Sequence, residues 1–229
     1  MKLSEEMKNK TLLSFELFPP KTEKGLQNLP GTIDHLMKYN PSYISCTYGA
    51  GGGNVGANRE VCQMIKNAGT TPVTHFTVIK NTKEGIKEQL DQYLADGVDH
   101  MLALRGDIPL GETTTCGDFD YATDLVKFVR DTYGDKFEIA VAGSPEGHIS
   151  CRSLESDIAV LKQKQDNGAD YIMTQLCWDM EQFKYWLDAI RKAGITMPVD
   201  VGVMPILDQA ATINMALSRN GCVMDRELS

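Results

Sequence analysis

The strongest constraint on this chain is the regular alternation of short apolar runs with segments of helical period along almost its whole length. Seven runs read as strands: Leu12–Phe18, Tyr43–Thr47, Val73–Ile79, His100–Leu104, Phe137–Ala142, Tyr171–Gln175 and Val199–Val203. Between them, apolar residues recur at helical spacing, as in Ile86, Leu90, Tyr93 and Leu94, in Leu125, Phe128 and Val129, and in Ile158 and Leu161. Gly69, Gly97, Gly168 and Gly194 close four of these helical stretches, where a left-handed residue ends a helix. Alternation of this kind predicts parallel β/α units.

Such units build either a barrel or a doubly wound sheet, and the polar residues favour the barrel. Strands covered on both faces should be nearly all apolar. Here polar side chains gather near the carboxyl ends: Glu16, Thr47, His75 and Thr77, Arg105 and Asp107, and Gln175. Period-two alternation puts Ser14, Glu16 and Phe18 on one face of the first strand, and Ser45 and Thr47 on one face of the second. In a barrel the carboxyl ends converge on one mouth, whereas a doubly wound sheet concentrates its site at a single switch point. The expected fold is therefore α/β, a (β/α)8 TIM-type barrel forming a single domain over residues 1–229. Seven strands are one short of a closed barrel, and the last helical segment, Gln209–Arg219, lies near the end of the sequence. The reading is of a C-terminally truncated barrel whose last β/α unit is missing.

Composition removes several classes of function. A net charge of −8 and a pI near 5.0 provide no basic footprint for nucleic acid or an anionic membrane. No apolar run approaches the length of a membrane helix. Cys46, Cys62, Cys116, Cys151, Cys177 and Cys222 form no CxxC pair, so zinc and thioredoxin signatures are absent and no metal site is expected. Free thiols without a secretory leader point to the cytoplasm. The opening segment, Met1–Lys10, reads as a short, charged surface helix.

The motifs at the strand ends carry the chemistry. Ser14-Phe15-Glu16-Leu17-Phe18-Pro19-Pro20 sets a carboxylate among apolar neighbours, which raises its pKa and suits it to donate a proton near neutral pH. A structural ion pair is the plainer alternative. The glycine-rich run from Thr47 to Gly53 lets backbone approach a ligand closely, yet matches neither GxGxxG nor a Walker A loop. Leu104-Arg105-Gly106-Asp107 offers a cation for phosphate and a carboxylate for a donor-bearing heterocycle, or simply a surface pair. Pro145-Glu146-Gly147-His148 follows the fifth strand, and Asp157 and Lys164 then lie seven apart on one helix face. Gln175 offers both a donor and an acceptor. An aldolase-type barrel would need a Schiff-base lysine or a metal cluster; Lys80 is the only lysine at a strand end, and nothing clusters round it.

In order, SFELFPP, SCTYGA, THFT, ALRGD, DFDYATDLV, PEGH and MTQLCWD resemble the methylenetetrahydrofolate reductase family from Ser14 to about Leu207. The resemblance implies a (β/α)8 barrel that binds FAD and reduces 5,10-methylenetetrahydrofolate to 5-methyltetrahydrofolate in one-carbon metabolism and methionine biosynthesis. It implies that Glu16 is the catalytic acid and that Asp107 lies beside flavin and pterin, both touching substrate. Thr47 and Gln175 would line the substrate or nicotinamide side. Tyr48, Ala50, His75, Leu104, Arg105, Gly106, Asp107, Tyr121, Ala122, His148, Asp157 and Lys164 would contact the flavin. Electrons would come from NAD(P)H, a partner subunit or ferredoxin, in an oligomer or hetero-complex. Three positions depart from the family pattern: Ser144 replaces a frequent tyrosine, and Val160 and Gln163 replace polar residues. The second reading is a truncated, non-catalytic or assembly-dependent subunit of a folate or flavin barrel complex.

Overall fold

The computed structural model describes residues 2–48, 55–108, 111–148, 151–204, 207–208, 210 and 212–213. All seven anticipated strands are present: β1 Ser14–Leu17, β2 Tyr43–Cys46, β3 Thr71–Thr77, β4 His100–Leu104, β5 Glu138–Gly143, β6 Tyr171–Thr174 and β7 Val199–Asp200. A short helix, α1 (Leu3–Met7), precedes them. Six longer helices alternate with them: α2 Glu23–Met37, α3 Val55–Asn67, α4 Lys83–Ala95, α5 Ala122–Tyr133, α6 Leu154–Asp166 and α7 Met180–Lys192. The strand order follows the chain from β1 to β7. This is the order of a TIM-type barrel; a doubly wound sheet would reverse at a switch point. Most of the helical segment expected at Gln209–Arg219 lies outside the described residues.

The chain divides into two compact units, Met1–Ala140 and Val141–Ser229. In the first, β1 pairs with β2, β2 with β3 and β3 with β4, all in parallel. The register sets Glu16 beside Ser45, Ser45 beside Val73 and His75 beside Leu102, so these residues share a face. The other face carries Ile44, Thr74, Phe76 and Met101, packed under α3 and α4 by Val61, Ile65, Ile86, Leu90 and Tyr93. Each fully buried aliphatic side chain contributes roughly 1.5–3 kcal/mol. In the second unit β6 pairs with β7, and Trp186 and Ile190 of α7 are buried.

Strand limits shift where a residue's polar groups go elsewhere. β7 is shorter than the expected Val199–Val203 because the Gly202 N–H donates to the Thr174 hydroxyl instead of to a strand carbonyl. β3 begins at Thr71 rather than Val73, because Thr71 and Pro72 already pair with Tyr43 and Ile44.

The opening segment is not the simple surface helix its charges suggest. Leu3 and Ser4 are buried. Their N–H groups donate to the two oxygens of Glu138 at 2.7 and 2.8 Å. Glu138 begins β5 and is 3% exposed. His100, the first residue of β4, places Nε2 3.0 Å from Glu138 and Nδ1 2.6 Å from Asp99. Burial disfavours both charges, but the mutual contacts and the helix amides outweigh it, taking His100 up to about 9 and Glu138 down to about 2.

Candidate active site at the strand ends

Within the first unit, β1 delivers Glu16 to the rim, its side chain 45% exposed. Surrounding apolar groups raise its pKa by desolvation. Oε2 lies 3.5 Å from Nε2 of His75, a buried ring that desolvation takes down to about 4. The imidazole is therefore neutral at neutral pH, and among the described residues no cation pairs with Glu16 to stabilise its carboxylate form. The two shifts reinforce each other, and the pair suits holding a proton better than forming a salt bridge. On the same sheet face, the buried hydroxyls of Ser45 and Thr77 have no hydrogen-bond partner among the described residues. A buried polar group normally finds one, so this face has bonding capacity that the described residues leave unused.

Thr47 follows β2, half-buried, with its N–H donating to Leu17 O at 2.9 Å. The Tyr48 ring is buried against Phe76, centroids 5.8 Å apart, and its hydroxyl donates to Gln89 of α4 at 3.0 Å. Burial pushes that phenol up to about 12. Ala50 and the rest of the glycine-rich run from Gly49 to Gly53 lie outside the described residues.

Leu104 ends β4, and the chain turns sharply at Gly106 with φ of +87°. A Cβ there would meet Thr77 Cβ at 3.1 Å and Ile79 side-chain carbons at 3.2 Å, so the position requires glycine for both conformation and space. The turn leaves Arg105 half-buried, its Nε donating to Gly106 O at 3.3 Å, and Asp107 exposed. Tyr121 and Ala122 open α5, where Asp124 accepts from the Tyr121 N–H.

The second unit carries its own cluster at the end of β5. Asp157 and Lys164 share a face of α6 as their spacing implies. Lys164 Nζ donates to Ala142 O at 3.0 Å. Asp157 accepts from the His148 N–H at 3.3 Å and contacts Cys151 Sγ at 3.5 Å. Burial lowers the Lys164 pKa, against the opposing charge of Asp157. The His148 side chain is exposed, as are Val160 and Gln163. Gln175 follows β6, its N–H donating to Gly143 O at 2.8 Å and its Oε1 accepting from Leu176 at 2.9 Å.

Sequence reasoning missed the amides that organise these ends. Asn81 donates to Thr77 O, and its Oδ1 accepts from Gln89, the partner of Tyr48. Asn58 of α3 is fully buried and ties β2, β3 and α4 together. Their only sequence signal is a polar residue at a sheet-facing helix or loop position, which does not name its partners.

The solved structures that this chain resembles share its barrel architecture. An uncharacterized protein from Clostridium thermocellum that binds two copies of 5-methyl-5,6,7,8-tetrahydrofolic acid matches with a TM-score of 0.73 at 14% identity, over 99% of this chain and 77% of that one. A phosphoenolpyruvate phosphomutase from Streptomyces platensis subsp. rosaceus matches at 0.62 and 11% identity, over 87% and 71%. These likenesses define the class, a TIM-type β/α barrel protein. The family model of methylenetetrahydrofolate reductase matches residues 2–220, and the chain belongs to that family. It is 38% identical to methylenetetrahydrofolate reductase (NADH) 1 of Arabidopsis thaliana, over 90% of this chain but 37% of the relative's length. It is 34% identical to the 5,10-methylenetetrahydrofolate reductase of Escherichia coli K12, over 88% of this chain and 67% of that one. The chain thus spans little more than a third of the plant relative and two thirds of the bacterial one.

Proposed function

We propose that this protein is a flavin-dependent oxidoreductase that reduces 5,10-methylenetetrahydrofolate to 5-methyltetrahydrofolate. The observation that carries the proposal is Glu16: a rim carboxyl with a raised pKa and a neutral imidazole beside it, at the end of β1 in a chain of this family. The folate bound by the Clostridium thermocellum structure supports the choice of substrate.

Glu16 in its acid form donates a proton to the ring nitrogen that leaves as the folate's five-membered ring opens to the 5-iminium cation. The Asp107 carboxylate stabilises that cation and accepts hydrogen bonds from the pterin. FAD, when bound and reduced by the electron donor, would supply the hydride that completes the reduction. Thr47 in the first unit and Gln175 in the second would each contact the substrate or nicotinamide. In the first unit, His75, the Leu104–Asp107 turn, Tyr121, Ala122 and the Tyr48–Ala50 main chain would hold the cofactor. The unpartnered hydroxyls of Ser45 and Thr77 fit a ligand rich in donors and acceptors. The second unit offers a desolvated cation, Lys164, together with His148 and Asp157. NAD(P)H is the proposed electron donor, in keeping with the plant relative's name, and the proposed setting is a reducing cytoplasm. Ferredoxin or a partner subunit is the other outcome of a donor screen.

The test is to load the purified protein with FAD, record its visible absorption, and follow folate-dependent oxidation of the reduced cofactor. Bound flavin in wild type and Glu16→Gln, with turnover in wild type alone, is the expected result. Absence of bound flavin, or a Glu16→Gln rate equal to wild type, would overturn the proposal.

A further inference from the structure

We infer that Asn58 is a positioning residue for Thr47, setting the direction in which the chain presents that side chain as it leaves β2. The inference rests on the reductase reading above and concerns a residue outside the proposed substrate and cofactor contacts.

Asn58 is 0% exposed, on the helix that follows the glycine-rich run. Its Nδ2 donates to Cys46 O at 3.0 Å and to Thr47 O at 3.1 Å. Carbonyls only accept, so these contacts fix which end of the side-chain amide is nitrogen. Oδ1 accepts from Thr74 Oγ1 at 2.8 Å and from Tyr93 Oη at 2.7 Å, with Cys62 Sγ at 3.6 Å. Both ends of the amide are thus fully used, and it cannot rotate without breaking buried bonds to three elements.

The Thr47 peptide groups are consequently held on both sides. The N–H goes to Leu17, the residue after Glu16, and the C=O goes to Asn58. The ladder bond alone would leave the following peptide free to turn. The Asn58 bond removes that freedom where the chain leaves the strand, and so fixes the Thr47 side chain relative to Glu16. Aspartate at 58 would keep both acceptor contacts but set a carboxylate oxygen against two carbonyls. Serine would be too short to span them.

The test compares Asn58→Asp, Asn58→Ser and Tyr93→Phe, each as FAD-loaded enzyme, by steady-state kinetics and thermal melting. Losing the donor end is expected to raise KM for methylenetetrahydrofolate about tenfold, with kcat changed less, because a small displacement of a positioning group weakens every contact it makes. Tyr93→Phe, which cuts only the acceptor end, lowers the melting temperature and leaves KM within about twofold of wild type. In a Thr47→Ala background, Asn58→Ser should add nothing further to KM, since a residue acting through another is not additive with it. If Asn58→Asp does not fold, the Asn58→Ser and Thr47→Ala cycle decides the question. Asn58 variants that keep the wild-type KM, or a cycle that is fully additive, sink the inference while the reductase reading stands. A wild type that neither binds nor turns over the folate sinks that reading, and the inference with it.

Discussion

The two ends of the first unit's strands treat polar groups in opposite ways. At the amino-terminal ends, Glu138 has both oxygens on helix amides and His100 beside it, and His100 has a carboxylate on each ring nitrogen. At the carboxyl ends, among the described residues, the Ser45 and Thr77 hydroxyls are buried without partners and Glu16 has a neutral ring at 3.5 Å. One end draws its charged groups together by contacts within the chain; the other leaves two buried hydroxyls without a partner among the described residues. In barrels this division is general, with chemistry at the carboxyl ends of strands and structural contacts at the opposite face.

The sharpest way to break the comparison is to exchange the consequences. Glu16→Gln should reduce folate turnover by about two to four orders of magnitude, as loss of a general acid does, while urea unfolding stays within about 0.5 kcal/mol of wild type. Glu138→Ala should do the reverse. It strands His100 and two helix amides and should cost about 3–5 kcal/mol in urea unfolding. The folate KM of the protein that remains folded should hold.

The same contrast is expected in pH. Glu138 is lowered to about 2, so its contribution is complete above its ordinary value of 4.5 and is lost as pH falls towards 2. His100 is raised to about 9, so its contribution is complete below 6.5 and is lost as pH rises through 9. Stability against urea should therefore be greatest between about pH 4.5 and 6.5 and fall on both sides. Turnover should instead fall in a single step on the alkaline side, as Glu16 loses its proton at its raised pKa. A rate profile that tracks the stability profile would show that the two ends are not separate in function.

Two smaller effects sharpen the comparison further. Gly106→Ala should destabilise by about 1–2 kcal/mol through backbone strain, and should weaken flavin retention more than it weakens the fold. Ser45→Ala should stabilise the ligand-free protein by about 1 kcal/mol, because it removes an unsatisfied buried hydroxyl, and should lose that advantage when flavin and folate are bound. Melting curves with and without the ligands check both.

How much was legible in the sequence follows the same division. Glu16 could be set with Ser14, and Ser45 with Thr47, because strand alternation is a local rule; that Glu16 and Ser45 share a face takes the register of β1 with β2. The relation of Asp157 to Lys164 was readable from helical spacing alone. The burial of α1 was not, because its cause is a carboxylate 135 residues away from Leu3. Asn58 was hidden for a similar reason: its bonds reach β2, β3 and α4, and no local pattern encodes a residue whose partners lie on three other elements. The direction of the Tyr48 hydroxyl was not legible, because α4 determines it.

The turn at Gly106 has a consequence for how such a protein can diverge. Any single-codon replacement of glycine adds a side chain at a φ of +87°, with its Cβ only 3.1 Å from a carbon of Thr77 and 3.2 Å from carbons of Ile79. Arg105 and Asp107 can therefore be exchanged one at a time for other chemistries, while the offset between them is closed to drift. Lineages can change the side chains of this turn far more readily than its path.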